Sequence, residues 1–430
     1  MHSVMLLPRL LVFVCFPMVT FAQSPSPFTS PAAASAAFEL PRVWPSTAFL
    51  PGADQPGPGW RIGPTVSNDG IYNTWSVSSA IGPFEITGNE RLIELLREIE
   101  ATIRLQELSK SREFAQGLAD AGRARLDSVV QVAKDPVETV RRLPQGASRF
   151  LGRVGGTINN AMHGSLDIDR SATPEETARR LMGIERAKRL IAAELGVNPY
   201  SHNQILQRAL NDVATVRALG TVTISVGSMI VVPATIGYAM TGVTVTSSLT
   251  REQVAAEPRE LAAANRARAL AAGLPAASID ALNANPHYDP WTLTALWNSI
   301  AEIGPVNSVV FVDMAAAASS DLDAFFFLRN IQIIAMLQSR GARIREFIAL
   351  PFTVACVMGD GAIVLPLWLD YAIWTPQAEA AAQELLAIAK ARNAPMVTVV
   401  TTGDFSPAAI GRLSALGIQT RTRILMQATP

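Results

Sequence analysis

The sequence predicts an α+β protein, mostly helical, with a small N-terminal antiparallel β meander and a C-terminal α/β domain of order β-β-α-β-α-β in a mixed sheet. Three observations carry that expectation. Residues 66–77, "VSNDGIYNTWSV", set the turn residues Asn68-Asp69-Gly70 before Ile71, Trp75 and Val77. The middle of the chain repeats apolar residues at three- and four-residue steps between helix caps. Near the C-terminus, "FIALPFTVACV" and "AIVLPLWLDYAIW" flank Met358-Gly359-Asp360-Gly361, a hairpin signal, ahead of alternating helix and strand segments.

The first element is a targeting segment. Arg9 precedes the apolar run "LLVFVCFPMVTFA", which closes on Thr20-Phe21-Ala22. A basic start, an apolar centre and a small residue at the end make residues 1–22 a secretory signal peptide. Residues 23–59 follow, rich in Pro, Ser and Ala, with too little apolar content to order themselves; they read as a tether on which Phe38, Trp44 and Phe49 dock locally.

Residues 60–160 are expected to form the meander plus helices. "GPFEIT" continues the strands, and Thr87 stands three residues before Glu90, the spacing of a capping box. Leu92, Leu96, Ile99 and Ile103 then mark one helical face, with Glu100 and Arg104 paired across a turn. Arg141, Arg142, Arg149 and Arg153 make a basic stretch interleaved with apolar residues, either a solvated helix face or a contact for an anionic membrane.

Residues 165–340 are expected to be a helical domain. Thr173-Pro174-Glu175-Glu176 starts one helix, Leu181, Ile184, Ala187, Leu190 and Ile191 form its stripe, and Gly196 ends it. Further helices are expected at about 203–217, 258–272, 290–303 and 321–340, with a short one at 274–283. Two joints are alike, "NPYSHNQILQRAL" from Asn198 and "NPHYDPWTLTALW" from Asn285. Between them, residues 218–250 are uncharged, long enough to span a bilayer. Pro233 and the many Gly, Thr and Ser residues there suit packing against protein better than lipid.

Residues 341–430 are expected to be a small α/β domain. Both faces of its hairpin strands are apolar, so the hairpin should be covered on each side.

The composition excludes some functions. Lys plus Arg and Asp plus Glu both number 36, a balance that argues against nucleic acid as a partner. Signal removal leaves Cys356 alone, so no internal disulfide forms, and its apolar surroundings make it a buried small residue rather than a nucleophile. His163, His202 and His287 form no local zinc motif. His202 and His287 would converge if the two Asn-Pro joints are neighbours, with Asp289 as a third ligand, but Asp289-Pro290 is already explained as a cap and first-turn proline. No metal and no cofactor are therefore expected. Asp321 and Asp323 behind Ser320 read as an acidic helix start. The small-molecule candidate is the loop Thr401, Thr402, Gly403 and Asp404, between a strand end and a helix N-terminus.

The sequence thus favours an exported protein, periplasmic or secreted, that binds or scaffolds a protein partner in the cell envelope. Two alternatives stay open: a hydrolase with dispersed residues, and a membrane-active protein using residues 218–250 with a peripheral membrane contact.

Overall fold

The computed structural model describes residues 38–111, 114–115, 174–218, 248–304 and 307–424. The expected signal peptide, residues 23–37 of the tether, the basic stretch at 141–153, His163 and residues 219–247 of the apolar segment lie outside these residues. The described chain is α+β, with an N-terminal antiparallel sheet, a helical block and a C-terminal mixed sheet. Among the described residues no helix is long and apolar enough to cross a membrane.

Strand structure begins earlier than the tether reading placed it. β1 (Arg42–Pro45) pairs antiparallel with β2 (Trp60–Asn68), and Leu50 between them is fully buried. The physical reason is local aromatic density. Trp44 and Phe49 meet edge-on at 6.1 Å and both also contact the Tyr371 ring, so this stretch carries enough apolar surface to dock. β3 (Asn73–Ser79) and β4 (Gly82–Thr87) complete a four-stranded sheet in the order β1-β2-β3-β4. One face of it, with Trp60, Ile62, Val66, Trp75 and Val77, packs on Leu92, Leu96 and Ile99 of helix α1 (Asn89–Ser109).

The start of α1 corrects the capping-box expectation. The N-cap is Gly88, with no side-chain cap from its own segment. Thr87 instead bonds Thr74 across the strands at 3.0 Å, and Glu90 pairs with Arg329 at 2.7 Å. Glu100 takes the indole N–H of Trp60 at 3.0 Å.

The helical block comprises α2 (Pro174–Leu195), α3 (Gln204–Ala218), α4 (Arg251–Ala255), α5 (Pro258–Ala271), α6 (Ala276–Ala284), α7 (Pro290–Ile303), α8 (Val309–Ala316) and α9 (Asp321–Ser339). Six of these eight helices match the sequence reading, and α4 and α8 were not among those expected. Gly196, at φ 72°, ends α2 while the Val197 N–H reaches back to Ala192 O at 2.9 Å, the glycine stop the sequence implied. Helix α8, "VVFVDMAA", lacked a legible polar face and was not expected.

The C-terminal domain corrects the hairpin in detail. "FIALPFTVACV" is not one strand. The chain turns at Leu350-Pro351-Phe352-Thr353, so β5 (Ile344–Ala349) and β6 (Val354–Met358) form one hairpin and β6 with β7 (Ile363–Leu367) a second. Then come β8 (Tyr371–Ala372), α10 (Pro376–Ala391), β9 (Val397–Thr401), β10 (Asp404–Phe405), α11 (Pro407–Ala415) and β11 (Ile418–Arg421). The mixed sheet runs β11-β9-β7-β6-β5, parallel on the β9 side and antiparallel on the β6 side. Both of its faces are covered. Val354 and Cys356 point into the helical block, whereas Ala355 and Val357 point toward Leu385 of α10 and Leu413 of α11.

Candidate functional site

The loop Thr401, Thr402, Gly403 and Asp404 sits where expected, between β9 and the N-cap Ser406 of α11. Its polar groups are engaged with the fold. Thr401 is fully buried, and the Thr402 hydroxyl donates to Leu369 O at 3.0 Å. Gly403 lies directly on the Asp370 carbonyl; a Cβ there would stand 2.1 Å from that oxygen. Asp404 accepts two N–H groups of Arg423, at 2.8 and 2.6 Å. The Ser406 hydroxyl donates to Glu39, which also takes the Trp374 N–H at 2.7 Å. The loop is fastened to the Leu369-Asp370 backbone and to Arg423, while the adjoining Ser406 and Trp374 hold Glu39 ahead of β1.

The two Asn-Pro joints repeat in three dimensions. Asn198 Oδ1 accepts the Tyr200 N–H and Asn285 Oδ1 the His287 N–H, each at 2.9 Å, giving the same Asx turn twice. Asn203 then caps α3, and Asp289 caps α7 through the N–H groups of Trp291 and Thr292. The joints are neighbours, since Asn198 Nδ2 donates to Asp289 at 3.0 Å. The histidines converge, but on Asp321 and not on Asp289. His202 Nδ1 lies 3.0 Å from one oxygen of Asp321 and His287 Nδ1 2.9 Å from the other. Asp289 is occupied by its cap, which is why it cannot join them. A carboxylate accepts only, so it selects the Nδ1–H form of each ring and leaves each Nε2 as the basic nitrogen. That is the orientation of a general base. Among the described residues no group of three or more His, Cys, Asp or Glu is arranged to hold a metal ion. Asp321 carried no local signal beyond a helix start, because its partners come from two other loops.

The sequence reading missed a buried polar seam. Asp370, 6% exposed, accepts the Asn73 N–H at 2.8 Å and the Asn89 N–H at 2.9 Å. Burial pushes its carboxyl up to about 7 against the pull of those two bonds. On α1, Glu90, Glu94 and Glu98 share one face. Arg329 from α9, 3% exposed, pairs with Glu90 and stands 3.8 Å from Glu94. Burial raises Glu94, with Arg329 opposing it, and raises Glu98 to about 7 despite bonds from Ser201 and Asn203. Cys356 is 1% exposed and burial pushes its thiol far up, so it holds no thiolate.

A crevice of about 340 Å³ opens between α8, α9 and the β5–β6 turn, lined by Asp313, Met314, Ala317, Asp323, Phe327 and Pro351 with Ala318. Phe352, beside Pro351, is 81% exposed.

Fold and site together define an α+β protein whose N-terminal sheet is welded by buried carboxylates to a helical and mixed-sheet body. No family model, curated protein or solved structure matches the chain.

Proposed function

We propose that this protein is exported to the cell envelope and works there by holding a protein partner rather than by turning over a substrate. The observation that carries this reading is the placement of Phe352. Its turn is closed by the Leu350 N–H to Thr353 O bond at 2.8 Å, and both flanking strands are anchored in core. A large apolar side chain presented to water on a backbone turn that is already fixed fits an interface anchor, since ordering that turn adds little entropic cost on binding. Leu40 and Val43, 80% and 63% exposed near the β1 edge, offer a second such surface. Export itself rests on the N-terminal 22 residues.

The test is site-specific photocrosslinking in the source cells, with the reactive group at position 352 and, as control, at exposed Gln377. A discrete adduct in the envelope fraction from position 352 alone is expected. Identical patterns from both positions, or protein confined to the cytosol, would defeat the reading.

A hydrolase remains the second reading, favoured by the two imidazoles on Asp321. Under it, His202→Ala, His287→Ala and Asp321→Asn would each abolish cleavage of an ester or phosphoester substrate by the purified chain. Equal activity in all four proteins sinks it.

A further inference from the structure

We propose that the crevice between α8, α9 and the β5–β6 turn is a receptor for an arginine side chain on an exposed apolar segment of a partner protein. The proposal rests on the binding reading above and names the chemistry of the partner.

The crevice has an apolar floor and an anionic rim. Met314, Ala317, Phe327 and Pro351 supply the floor. Asp313, with its side chain exposed, and Asp323 supply the rim. Asp323 is oriented by Ser319, whose N–H and hydroxyl donate to one carboxylate oxygen at 3.0 and 2.7 Å. Burial pushes that carboxyl up, but the bonds from Ser319 and Ser320 outweigh burial and keep it below the usual range, so it is charged at neutral pH. Within the described residues neither Asp313 nor Asp323 has an ion-pair partner. The C-terminal end of α8, at Ala316, adds the negative end of a helix dipole on the same side.

A ligand that satisfies both parts needs an apolar stem with a cation at its tip. Arginine and lysine have that form, laying methylenes along apolar surface while the charged head reaches outward. Arginine fits better for two reasons. Its planar guanidinium carries five N–H donors, enough to bond two separate carboxylates, whereas an ammonium is a single point charge. Its flat face also stacks on an aromatic ring, and Phe327 lies in the floor. Phe352 stands just outside, placed to cover an apolar residue next to that arginine. An acidic rim repels an anionic lipid surface, so the charge of the crevice selects a protein segment over a membrane.

Calorimetric titration of the mature full-length chain tests this. The probe is an end-blocked pentapeptide of glycine, phenylalanine, arginine, leucine and glycine, with a second peptide carrying glutamine for arginine. The arginine peptide should bind saturably and weaken with added salt. Asp313→Asn and Phe352→Ser, both at exposed positions, should each weaken it on the order of tenfold, as expected for one charge-assisted hydrogen bond or one anchor lost. Circular dichroism confirms that both variants fold. Equal affinity for the two peptides, no saturable binding, or affinity unchanged by both substitutions overturns the proposal. So does stronger attachment of Asp313→Asn than of the parent chain to phosphatidylglycerol vesicles, which would make this face a membrane contact. If crosslinking from position 352 persists while the peptide fails to bind, the arginine assignment falls and the binding reading stands. If both fail, the binding reading falls with it.

Discussion

The Asp370 carboxylate accepts the first N–H of helix α1, that of Asn89, across 281 residues of sequence at 2.9 Å. Its second oxygen takes the Asn73 N–H at the start of β3. One side chain from the link between β7 and β8 therefore does what a local N-cap residue would do, and also pins the neighbouring strand. The acid is well placed for it, since a carboxylate favours the positive end of a helix dipole.

Asp370→Ala should be strongly destabilising. It leaves the buried Asn73 N–H and the half-buried Asn89 N–H without acceptors, at a cost of about 1–3 kcal/mol for the buried one and less for the other. Urea unfolding should lose on the order of 3 kcal/mol, and Asp370→Asn, which keeps one acceptor oxygen, should lose less. A loss within experimental error for Asp370→Ala would show that water or another group replaces the cap.

The seam also sets a pH dependence with an unusual sign. Asp370 and Glu98 are both raised to about 7 in the folded chain, above the ordinary carboxylate range of an unfolded one. Between about pH 4 and 7 the folded state therefore binds more protons, and stability falls as pH rises. Their contribution is fully present below about pH 4 and lost by the time pH passes 7. Urea midpoints across that window should decline with pH in the parent and decline less in a chain carrying Asp370→Asn and Glu98→Gln. Parallel curves for the two proteins would refute the assignment.

Gly403 should tolerate no side chain. Its missing Cβ would approach the carbonyl oxygens of Asp370 and Leu369 at 2.1 and 2.4 Å, and backbone cannot swing aside as a side-chain tip can. Gly403→Ala should cost about 3 kcal/mol or more by overpacking. Thermal melting checks it against Gly411→Ala inside α11, where open space and the better helix propensity of alanine predict a small gain in stability.

The N-terminal segment makes a prediction independent of the fold. Export should remove residues 1–22, so mass spectrometry of the exported protein's N-terminal peptide should place its start at Gln23, as free glutamine or cyclised to pyroglutamate. Retention of Met1 on membrane-held protein would convert the segment into an anchor.

Which elements are legible in the sequence follows a physical pattern. Helices α5, α7 and α9 were legible because their signals are local: Pro258 and Pro290 in the first turn, Asp289 and Ser320 as caps, apolar spacing within each helix. The turn at Leu350-Pro351 was hidden because an apolar stretch buried on both faces reads as one strand however often it reverses. Likewise the two histidine loops announced their similarity in sequence, and their Asx turns repeat it, but their common target Asp321 lies on a third segment with an ordinary helix-start pattern.

By itself, then, the sequence determined the α+β class, the boundaries of helices such as α5, α7 and α9, and that the C-terminal strands are covered on both faces, because periodicity and capping act over a few residues. Tertiary structure alone decided that Asp370 caps α1, that Arg329 meets Glu90, and that Asp313 and Asp323 flank one apolar crevice. Those relationships join groups far apart in the chain. Their energies come from burial and from hydrogen bonds that form only once the sheets and helices have closed around them.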